Sequence, residues 1–383
     1  MKTNIPERIA ALREAMKQQK VDAYIIPSSD PHLSEYPADR WKSREWISGF
    51  TGSAGTIVVT ADKAGLWTDS RYFLQAASQL EGSGIELYKL ALPETPSITE
   101  FLLHELHAGQ AVGLDGQTYS AAEASALANK LSRKEIKLDT SADLIEGIWK
   151  DRPAVPGNPI FEMPEALSGA SVHEKLDLIN NQLRSEGADC LILAALDEIA
   201  WTFNIRGTDV TYNPVVVSYA FVSEDESVLF IKPEKLTAEI TEHLKKEGVT
   251  LAEYSMIQRY LSRLPENSRV FVDMNKTNVS LYDAIPGSCT IVEGISPANH
   301  LKSIKNETEI KGFQNAVVKD GVALTKFYIW LEKQMAEGAQ VTEISAAEKL
   351  TALRAEQPQY IMDSFGTICG YAEHGAIVHY SAT

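Results

Sequence analysis

The residues best suited to chemistry lie in two short motifs some 300 positions apart. Near the end of the sequence, the alternating apolar run Gly375-Ala-Ile-Val-His-Tyr380 carries one imidazole, that of His379. An imidazole can exchange a proton near neutral pH or donate a hydrogen bond to a substrate. It can also be a core histidine whose ring nitrogens bond to the backbone. The run alone leaves both interpretations open.

The second motif contains Arg71, which follows a predicted strand ending at Trp67. Thr68 or Asp69 can cap the helix that begins there, which places Arg71 in its first turn. A cation in a first turn opposes the helix dipole, so helix stability does not account for this arginine. Its guanidinium either pairs with a neighbouring acid or binds a carboxylate or carbonyl of a ligand. Local sequence favours neither interpretation.

Several other patterns look functional but are better explained as structural. His104 and His107 are separated by three positions and do not form the H-E-x-x-H motif, so we expect a solvated face. The glycine-rich residues 49–55 lack a following Gly-Lys-Ser/Thr and precede a strand, which predicts a hairpin turn rather than a phosphate loop.

Two charged pairs are also interpreted as structural. The adjacent carboxylates of Asp197 and Glu198 point apart on a helix and suit capping or loop fixation rather than metal binding. Arg206 and Asp209 are close enough in sequence to form a local ion pair.

The composition is that of a globular protein with an acidic surface. The 383 residues are 44% hydrophobic and 23% charged, and 52 acidic against 36 basic residues give a net charge of -16. Nucleic acids and anionic membranes are bound through clustered Lys and Arg, so both are disfavoured as partners. Cys190, Cys289 and Cys369 form no CxxC pair, which predicts neither a disulfide framework nor a thiolate zinc site.

The N-terminal residues 1–20 form a charged amphipathic segment without the apolar core of a signal peptide. No stretch approaches 18 uninterrupted apolar residues, so no membrane span is predicted. These two features together predict a cytoplasmic location.

The elements that must position the two motifs alternate between helices and strands. Ile5, Ile9, Leu12 and Met16 recur at helical spacing, and residues 21–27 form the buried strand that follows. A proline-rich linker spans residues 151–164 and marks a domain boundary. A second helix (residues 172–185) and strand (residues 188–193) then repeat the first order. The pattern predicts two duplicated α/β modules.

The last segment has a different pattern. Asn306 and Glu309 form a capping-box variant that begins a long helix, in which Gly321 is expected to mark a close helix contact. A second helix ends before Pro358, and strands are predicted over residues 361–365 and 376–380. The predicted domains are 1–152, 153–299 and 300–383, the last being an incomplete α+β domain with unpaired strand edges.

Seven motifs in register along the whole chain resemble the three-domain aminopeptidase P family, the Xaa-Pro aminopeptidases. They are Ala23-Tyr-Ile-Ile-Pro-Ser28, Ser34-Glu-Tyr36, Gly52-Ser-Ala-Gly55, Trp67-Thr-Asp-Ser-Arg-Tyr-Phe-Leu-Gln-Ala76, Leu196-Asp-Glu-Ile-Ala-Trp201, Thr342-Glu-Ile-Ser-Ala-Ala347 and Gly375-Ala-Ile-Val-His-Tyr380. The resemblance implies an α/β fold of two tandem creatinase/prolidase N-terminal-type domains, followed by the beginning of an α+β pita-bread catalytic domain.

The resemblance also implies a function: removal of an N-terminal residue that precedes proline, by two divalent metal ions, usually Mn²⁺. Carboxylate-rich ligation suits such a hard cation. At the matching positions, His379 becomes a catalytic and substrate-binding residue and Arg71 a substrate-binding residue. The family's five metal ligands all follow the His379 strand, so none is present here. Asp363 and Glu373 do not match those positions.

We therefore expect an N-terminal fragment of a cytoplasmic Xaa-Pro aminopeptidase that binds no metal and is inactive by itself. Its partners would be peptides beginning Xaa-Pro, and the full-length protein could form a homodimer. Two alternatives remain: a non-catalytic peptide-binding or assembly module, and a prolidase-like dipeptidase parent. The two-domain N-terminal region argues against the dipeptidase, because those relatives carry one such domain.

Overall fold

The computed structural model describes residues 4–382 and contains two six-stranded mixed sheets followed by a helical segment. The first unit consists of α1 (Ile5–Gln19), β1 (Ala23–Ile26), α2 (Ser43–Ser48), β2 (Thr56–Thr60), β3 (Ala64–Thr68), α3 (Phe73–Gln79), β4 (Glu86–Lys89), α4 (Ile98–Glu105), β5 (Ala111–Leu114), α5 (Ala121–Ser132), β6 (Lys137–Asp139) and α6 (Leu144–Ile148).

The second unit follows the linker, part of which forms a short strand. It consists of β7 (Phe161–Glu162), α7 (Glu165–Ser168), α8 (Val172–Ser185), β8 (Cys190–Leu193), α9 (Leu196–Thr202), β9 (Ile205–Arg206), β10 (Ser218–Ser223), β11 (Ser227–Ile231), α10 (Ala238–Lys246), β12 (Val249–Ala252), α11 (Ile257–Leu261), β13 (Arg269–Val272), α12 (Val279–Tyr282), β14 (Thr290–Glu293) and α13 (Pro297–Ser303).

The two sheets have the same topology, which confirms the predicted duplication. Their strand orders are β4-β3-β2-β1-β5-β6 and β12-β11-β10-β8-β13-β14. In each sheet the first strand pairs antiparallel with the next and parallel with the strand on its other side. The two central strands, β1 and β8, are fully buried because helices cover both faces of each sheet.

Helix α1 shows how local sequence determines these elements. Its buried positions are the predicted Ile5, Ile9, Leu12 and Met16, and Pro6 stands in the first turn, where its missing N–H is not needed. The helix ends at Lys20, which adopts a left-handed backbone with φ of 61°. The chain then enters β1 at the centre of the sheet.

The loop between β1 and α2 joins the two units. Pro31 accepts hydrogen bonds from Asn278 Nδ2 (2.7 Å) and the Tyr219 hydroxyl (3.3 Å) of the second unit. Ala38 and Trp41 pack in an apolar cluster made mostly of second-unit side chains. Backbone bonds near the start of α5, including Ala121 N–H to Thr277 O at 2.9 Å, add a second point of contact.

The C-terminal segment contains α14 (Glu307–Ala336), α15 (Glu343–Ala355) and a 3₁₀ helix at Ala372–Ala376. The capping box of Asn306 and Glu309 is present as predicted. The close helix contact at Gly321 is wrong, because nothing lies within 4 Å of the position of a Cβ there. Most large apolar side chains of α14 are exposed. They include Phe313, Val317, Val318, Tyr328, Ile329 and Met335.

The strands predicted over residues 361–365 and 376–380 are also wrong, since the described residues after Glu293 contain no strand. The alternating pattern specifies which face would be buried, but a strand also needs a neighbour for its N–H and C=O groups, and no described segment supplies one. His379 lies instead in a turn with φ of 53°.

Among residues 4–382, no helix has the length and apolar character needed to cross a membrane.

Candidate functional site

A large cleft of about 1130 Å³ lies where the first unit, the linker, the second unit and the C-terminal segment meet. His379 and Tyr72 both line it. A neighbouring cleft of about 530 Å³ is lined by Arg71. Ser28, Glu35 and Ser53 line both clefts, so the two form one continuous depression.

Arg71 lies in the 3₁₀ turn Ser70–Tyr72, between the end of β3 and the start of α3. Asp69 caps this turn by accepting a hydrogen bond from the Arg71 backbone N–H at 3.1 Å. The same carboxylate accepts two further bonds from the guanidinium, from Nε and Nη2, both at 2.8 Å. The cap therefore also fixes the direction of the arginine side chain.

This ion pair leaves part of the guanidinium free for a ligand. The Arg71 side chain is 40% exposed, and Nη1 forms no bond with Asp69. The hydrogen bonds from Arg71 lower the pKa of Asp69, and the nearby His379 contributes in the same direction. The two interpretations of Arg71 are thus compatible: it pairs with a neighbouring acid and is also presented at a cleft.

Tyr72 connects the arginine motif to His379. Its ring centroid lies 5.9 Å from that of His379, and the Arg71 guanidinium lies 5.1 Å from the same ring. The Tyr72 hydroxyl forms a 2.6 Å hydrogen bond with Ser53 Oγ. Gly52 permits this packing, because a Cβ at that position would lie 2.7 Å from the Tyr72 ring. The structure therefore brings together both residues singled out from the sequence.

The segment before His379 is held against α15 by one carboxylate. Glu343 accepts hydrogen bonds from the Tyr371 backbone N–H (2.6 Å) and the Tyr380 hydroxyl (2.8 Å). His374 Nδ1 lies 3.0 Å from the same group. These bonds lower the pKa of Glu343 and raise the pKa of the Tyr380 hydroxyl, because each favours the carboxylate as an acceptor.

Glu35 is a candidate site residue that sequence reasoning did not identify. It lines both clefts, and its charge acts on the Arg71 guanidinium. An acid beside a partly free arginine provides both signs of charge in one depression. The signal was its position in a long irregular loop after β1, since loops that follow central strands of α/β sheets often contain binding residues.

Most of the patterns interpreted as structural have structural surroundings in the folded chain. His104 is exposed on α4 and His107 lies just after that helix ends. Asp197 pairs with Lys302 at the surface, whereas Glu198 is buried and accepts a bond from Asn299 Nδ2 at 3.1 Å. Burial raises the pKa of Glu198.

The predicted pairing of Arg206 with Asp209 is wrong. Arg206 donates to the carbonyls of Ala200 (2.6 Å) and Ile205 (2.9 Å). Asp209 forms a buried ion pair with Lys235 and accepts a 2.7 Å bond from the Val217 N–H. Lys235 is 26 positions from Asp209 in sequence. The two residues meet because β11 and the turn that follows it pack against the loop that contains Asp209.

The described residues do not fit a two-metal centre. Within residues 4–382, no group of three or more His, Cys, Asp or Glu side chains could hold a metal ion. The charged groups at the cleft include pairs such as Asp69 with Arg71. The arrangement can bind and orient a polar ligand, and no metal-dependent step follows from it.

Comparison with known protein families places both α/β units in one family. The family model for the creatinase/prolidase N-terminal domain matches residues 8–148, and a second model with the same description matches residues 151–309. This result confirms the predicted fold of two tandem domains of that type.

The chain is also similar over nearly its whole length to Xaa-Pro aminopeptidases. A probable Xaa-Pro aminopeptidase P of Laccaria bicolor is 39% identical across 98% of the chain and 59% of its own length. An Xaa-Pro aminopeptidase of Drosophila melanogaster is 36% identical across 99% and 64%, respectively. Among solved structures, the chain matches the X-prolyl aminopeptidase of Caenorhabditis elegans, which is described as a cytosolic enzyme with a di-nuclear active site. The TM-score is 0.93 and the sequence identity is 30%, over 98% of this chain and 64% of the C. elegans chain.

These similarities confirm the resemblance inferred from the seven motifs. The chain spans about three-fifths of the length of the curated relatives that it matches.

Proposed function

We propose that this chain, which belongs to the creatinase/prolidase N-terminal domain family through both of its α/β units, forms the peptide-binding part of a metal-dependent Xaa-Pro aminopeptidase. The observation that carries the proposal is the meeting of Arg71 and His379 around Tyr72, across some 300 positions of sequence. Whole-length similarity to Xaa-Pro aminopeptidases supports the substrate class.

Each side chain has a role that its chemistry allows. The uncommitted edge of the Arg71 guanidinium binds a peptide carbonyl or carboxylate, because a planar fork of donors matches such oxygens. His379 donates a hydrogen bond to an oxygen of the substrate near the bond to be cleaved. The Glu35 carboxylate accepts a hydrogen bond from the charged α-amine of the peptide. This role accounts for the presence of an acid beside Arg71 in the depression that the two clefts form.

Hydrolysis itself requires groups that the described residues do not supply. The C. elegans relative is described as having a di-nuclear active site, and two metal ions would supply an activated water and stabilise an oxyanion. The exposed apolar face of α14, which includes Phe313 and Val317, marks an interaction surface and is expected to be covered in the whole protein. We propose that the 383 residues bind peptide but do not cleave it.

The test compares peptide binding by the purified 383-residue chain and its variants, with Ala-Pro-Ala and Ala-Ala-Ala as probes in an NMR titration. We expect preferential binding of Ala-Pro-Ala, and a loss of about tenfold in affinity for Arg71→Ala, the usual effect of removing a hydrogen bond to a charged group. Arg269→Ala is the matched control, because Arg269 forms an exposed pair with Asp189 away from both clefts. Equal binding of both peptides, or equal losses in both variants, would sink the proposal.

Incubation of the same chain with Mn²⁺ and Ala-Pro-Ala measures the catalytic half of the proposal. We expect no release of alanine; turnover that depends on the metal would show that the described residues suffice. Peptide binding without turnover is also what the assembly-module alternative predicts. A fusion of this chain to the remaining residues of a relative distinguishes the two hypotheses. The fusion should cleave Ala-Pro-Ala if the chain is part of an aminopeptidase, and should not if it is an assembly module.

The remaining proposals concern the whole protein. A prolidase-like parent would cleave the dipeptide Ala-Pro in preference to Ala-Pro-Ala, the reverse of the order we expect. We propose a cytoplasmic location because the C. elegans relative is described as cytosolic. A homodimer of the whole protein is proposed from the resemblance alone.

A further inference from the structure

Tyr212 is a backbone outlier on the wall of the large cleft. Its φ is 64°, in the left-handed region that bulky side chains rarely adopt. It is the third residue of a turn closed by the Asn213 N–H donating to the Val210 carbonyl at 3.3 Å. Glycine or asparagine is usual at a third turn position with positive φ. Tyrosine at this position therefore carries a conformational cost that glycine would avoid.

Buried contacts hold the loop that contains Tyr212 in place. Asp209 pairs with Lys235, and both side chains are almost completely buried. The Val217 N–H donates to the same carboxylate at 2.7 Å, and Val210 is buried in the cluster between the units. These contacts hold the turn in place, so its strained residue is presented in one direction. Strain maintained by surrounding structure is typical of binding sites.

The Tyr212 ring is presented rather than packed. The residue is 44% exposed and lines the large cleft. On one side it meets Gly366, where a Cβ would lie 3.5 Å from the ring. A large aromatic ring left half-exposed in a concave site can bury more surface when a ligand arrives.

The cleft is lined by both charged and apolar side chains. Its first-unit wall carries charged side chains, namely Glu35, Asp39, Arg40, Lys42, Arg44 and Glu45. The linker, the Tyr212 loop and the C-terminal segment add apolar side chains to the lining, namely Pro153, Pro156, Tyr212, Phe365 and Ile368. A peptide whose charged amine lies at Glu35 can place a later side chain against Tyr212 and the other apolar groups, because all of them line the same cleft.

We propose that Tyr212 is a specificity-determining residue that binds an apolar side chain on the C-terminal side of the substrate's proline. This inference rests on the proposed function and specifies the preferred substrates: peptides of the form Xaa-Pro-Yaa in which Yaa is aromatic or large and aliphatic. The second unit then contributes to specificity directly, in addition to supporting the first unit.

The experiment measures binding of Ala-Pro-Phe and Ala-Pro-Gly to the 383-residue chain by NMR titration. We expect Ala-Pro-Phe to bind about threefold to tenfold more tightly, the usual worth of one aromatic contact. Tyr212→Gly should reduce that ratio to below about twofold, because the ring is removed, and leave the affinity for Ala-Pro-Gly unchanged. Tyr212→Phe should retain the ratio, because the ring and not the hydroxyl makes the contact.

Thermal unfolding separates binding from structure. Glycine removes the strain at φ of 64°, so Tyr212→Gly should unfold at the same temperature as the wild type or up to about 2 °C higher. Ala91→Gly is the control, since Ala91 is exposed with φ of 67° and lies outside both clefts. It should show a similar thermal effect with no change in the peptide ratio.

The possible results bear on different claims. A wild-type ratio near one, or a ratio unaltered by Tyr212→Gly, overturns the role of Tyr212 while leaving Xaa-Pro binding intact. A melting temperature lowered by several degrees in Tyr212→Gly assigns the residue a structural role instead. Failure of the wild type to bind either peptide overturns the proposed function and this inference with it.

Discussion

Protonation of His32 should destabilise the protein in mildly acidic solution. This imidazole is 1% exposed at the contact between the two α/β units. Nδ1 donates to the Ala194 carbonyl at 2.8 Å, which leaves Nε2 to accept from the Tyr254 hydroxyl at 3.0 Å. The Tyr219 ring lies 4.4 Å away. Burial lowers the pKa of His32 to about 3, because a charged ring would have no water around it.

The sign and size of the effect follow from linkage. The unfolded chain binds a proton at His32 below a pKa of about 6.5, whereas the folded chain does so only near pH 3. Stability is therefore complete above pH 6.5 and is lost as the pH falls from there toward 3. At about pH 5 the loss is about 2 kcal/mol, since each pH unit below about 6.5 contributes about 1.4 kcal/mol.

Two buried acids act in the opposite direction and would hide this loss in the wild type. Burial raises the pKa values of Asp30 and of Asp115, the latter also through the neighbouring charge of Asp143. A folded acid with a raised pKa gains stability as the pH falls. The wild-type pH profile alone therefore does not report on His32, and the comparison must be made with a variant.

The assay is urea unfolding at pH 7 and pH 5, followed by tryptophan fluorescence. Trp41, whose ring lies 6.4 Å from that of His32, is a nearby reporter. The free energy of unfolding of His32→Gln should be lower than that of the wild type at pH 7, and the gap should narrow by about 2 kcal/mol at pH 5. His107→Gln, at an exposed histidine away from the contact between the units, should show no such narrowing of the gap. A gap that stays constant between the two pH values would refute the reasoning.

Two further predictions concern stability elsewhere in the chain. Lys235→Met should lower the free energy of unfolding by about 3–5 kcal/mol in urea titrations, because it leaves the Asp209 carboxylate buried without its partner. Lys246→Met, which removes an exposed pair, should change it by less than about 1 kcal/mol, and equal effects would contradict the buried-pair argument. Phe313→Gln on α14 should reduce binding of a hydrophobic dye while changing the free energy of unfolding by less than about 0.5 kcal/mol. A larger loss of stability would mean that this ring is packed.

The fold was predictable where the signals are local. Helix α1, the cap of α14 and the strand that follows residues 49–55 follow from side-chain periodicity, capping residues and turn residues within a few positions. The duplication was predictable because both copies carry the same order of local signals. Pairing partners were not predictable. Asp209 is close to Arg206 in sequence, but it pairs with the more distant Lys235.

The site was predictable only in part for the same reason. Arg71 and His379 stood out because neither the helix dipole nor an apolar run accounts for their charge or polarity. Glu35 and Tyr212 did not stand out, since an acid in a loop and a tyrosine in a turn are ordinary in sequence. Their importance depends on a cleft formed by distant segments and on a backbone angle, and neither is visible in a local pattern.

The geometry of the site depends on the contact between the two α/β units more than on either unit alone. Arg71 and Glu35 belong to the first unit and Tyr212 to the second, so the contact at residues 30–41 sets their separation. This contact combines an apolar cluster with hydrogen bonds. A small rotation of one α/β unit against the other would break those hydrogen bonds. Because buried polar groups without partners are costly, the contact favours one orientation. A duplicated fold can thus supply two halves of one cleft, since the second copy holds the first in a fixed position.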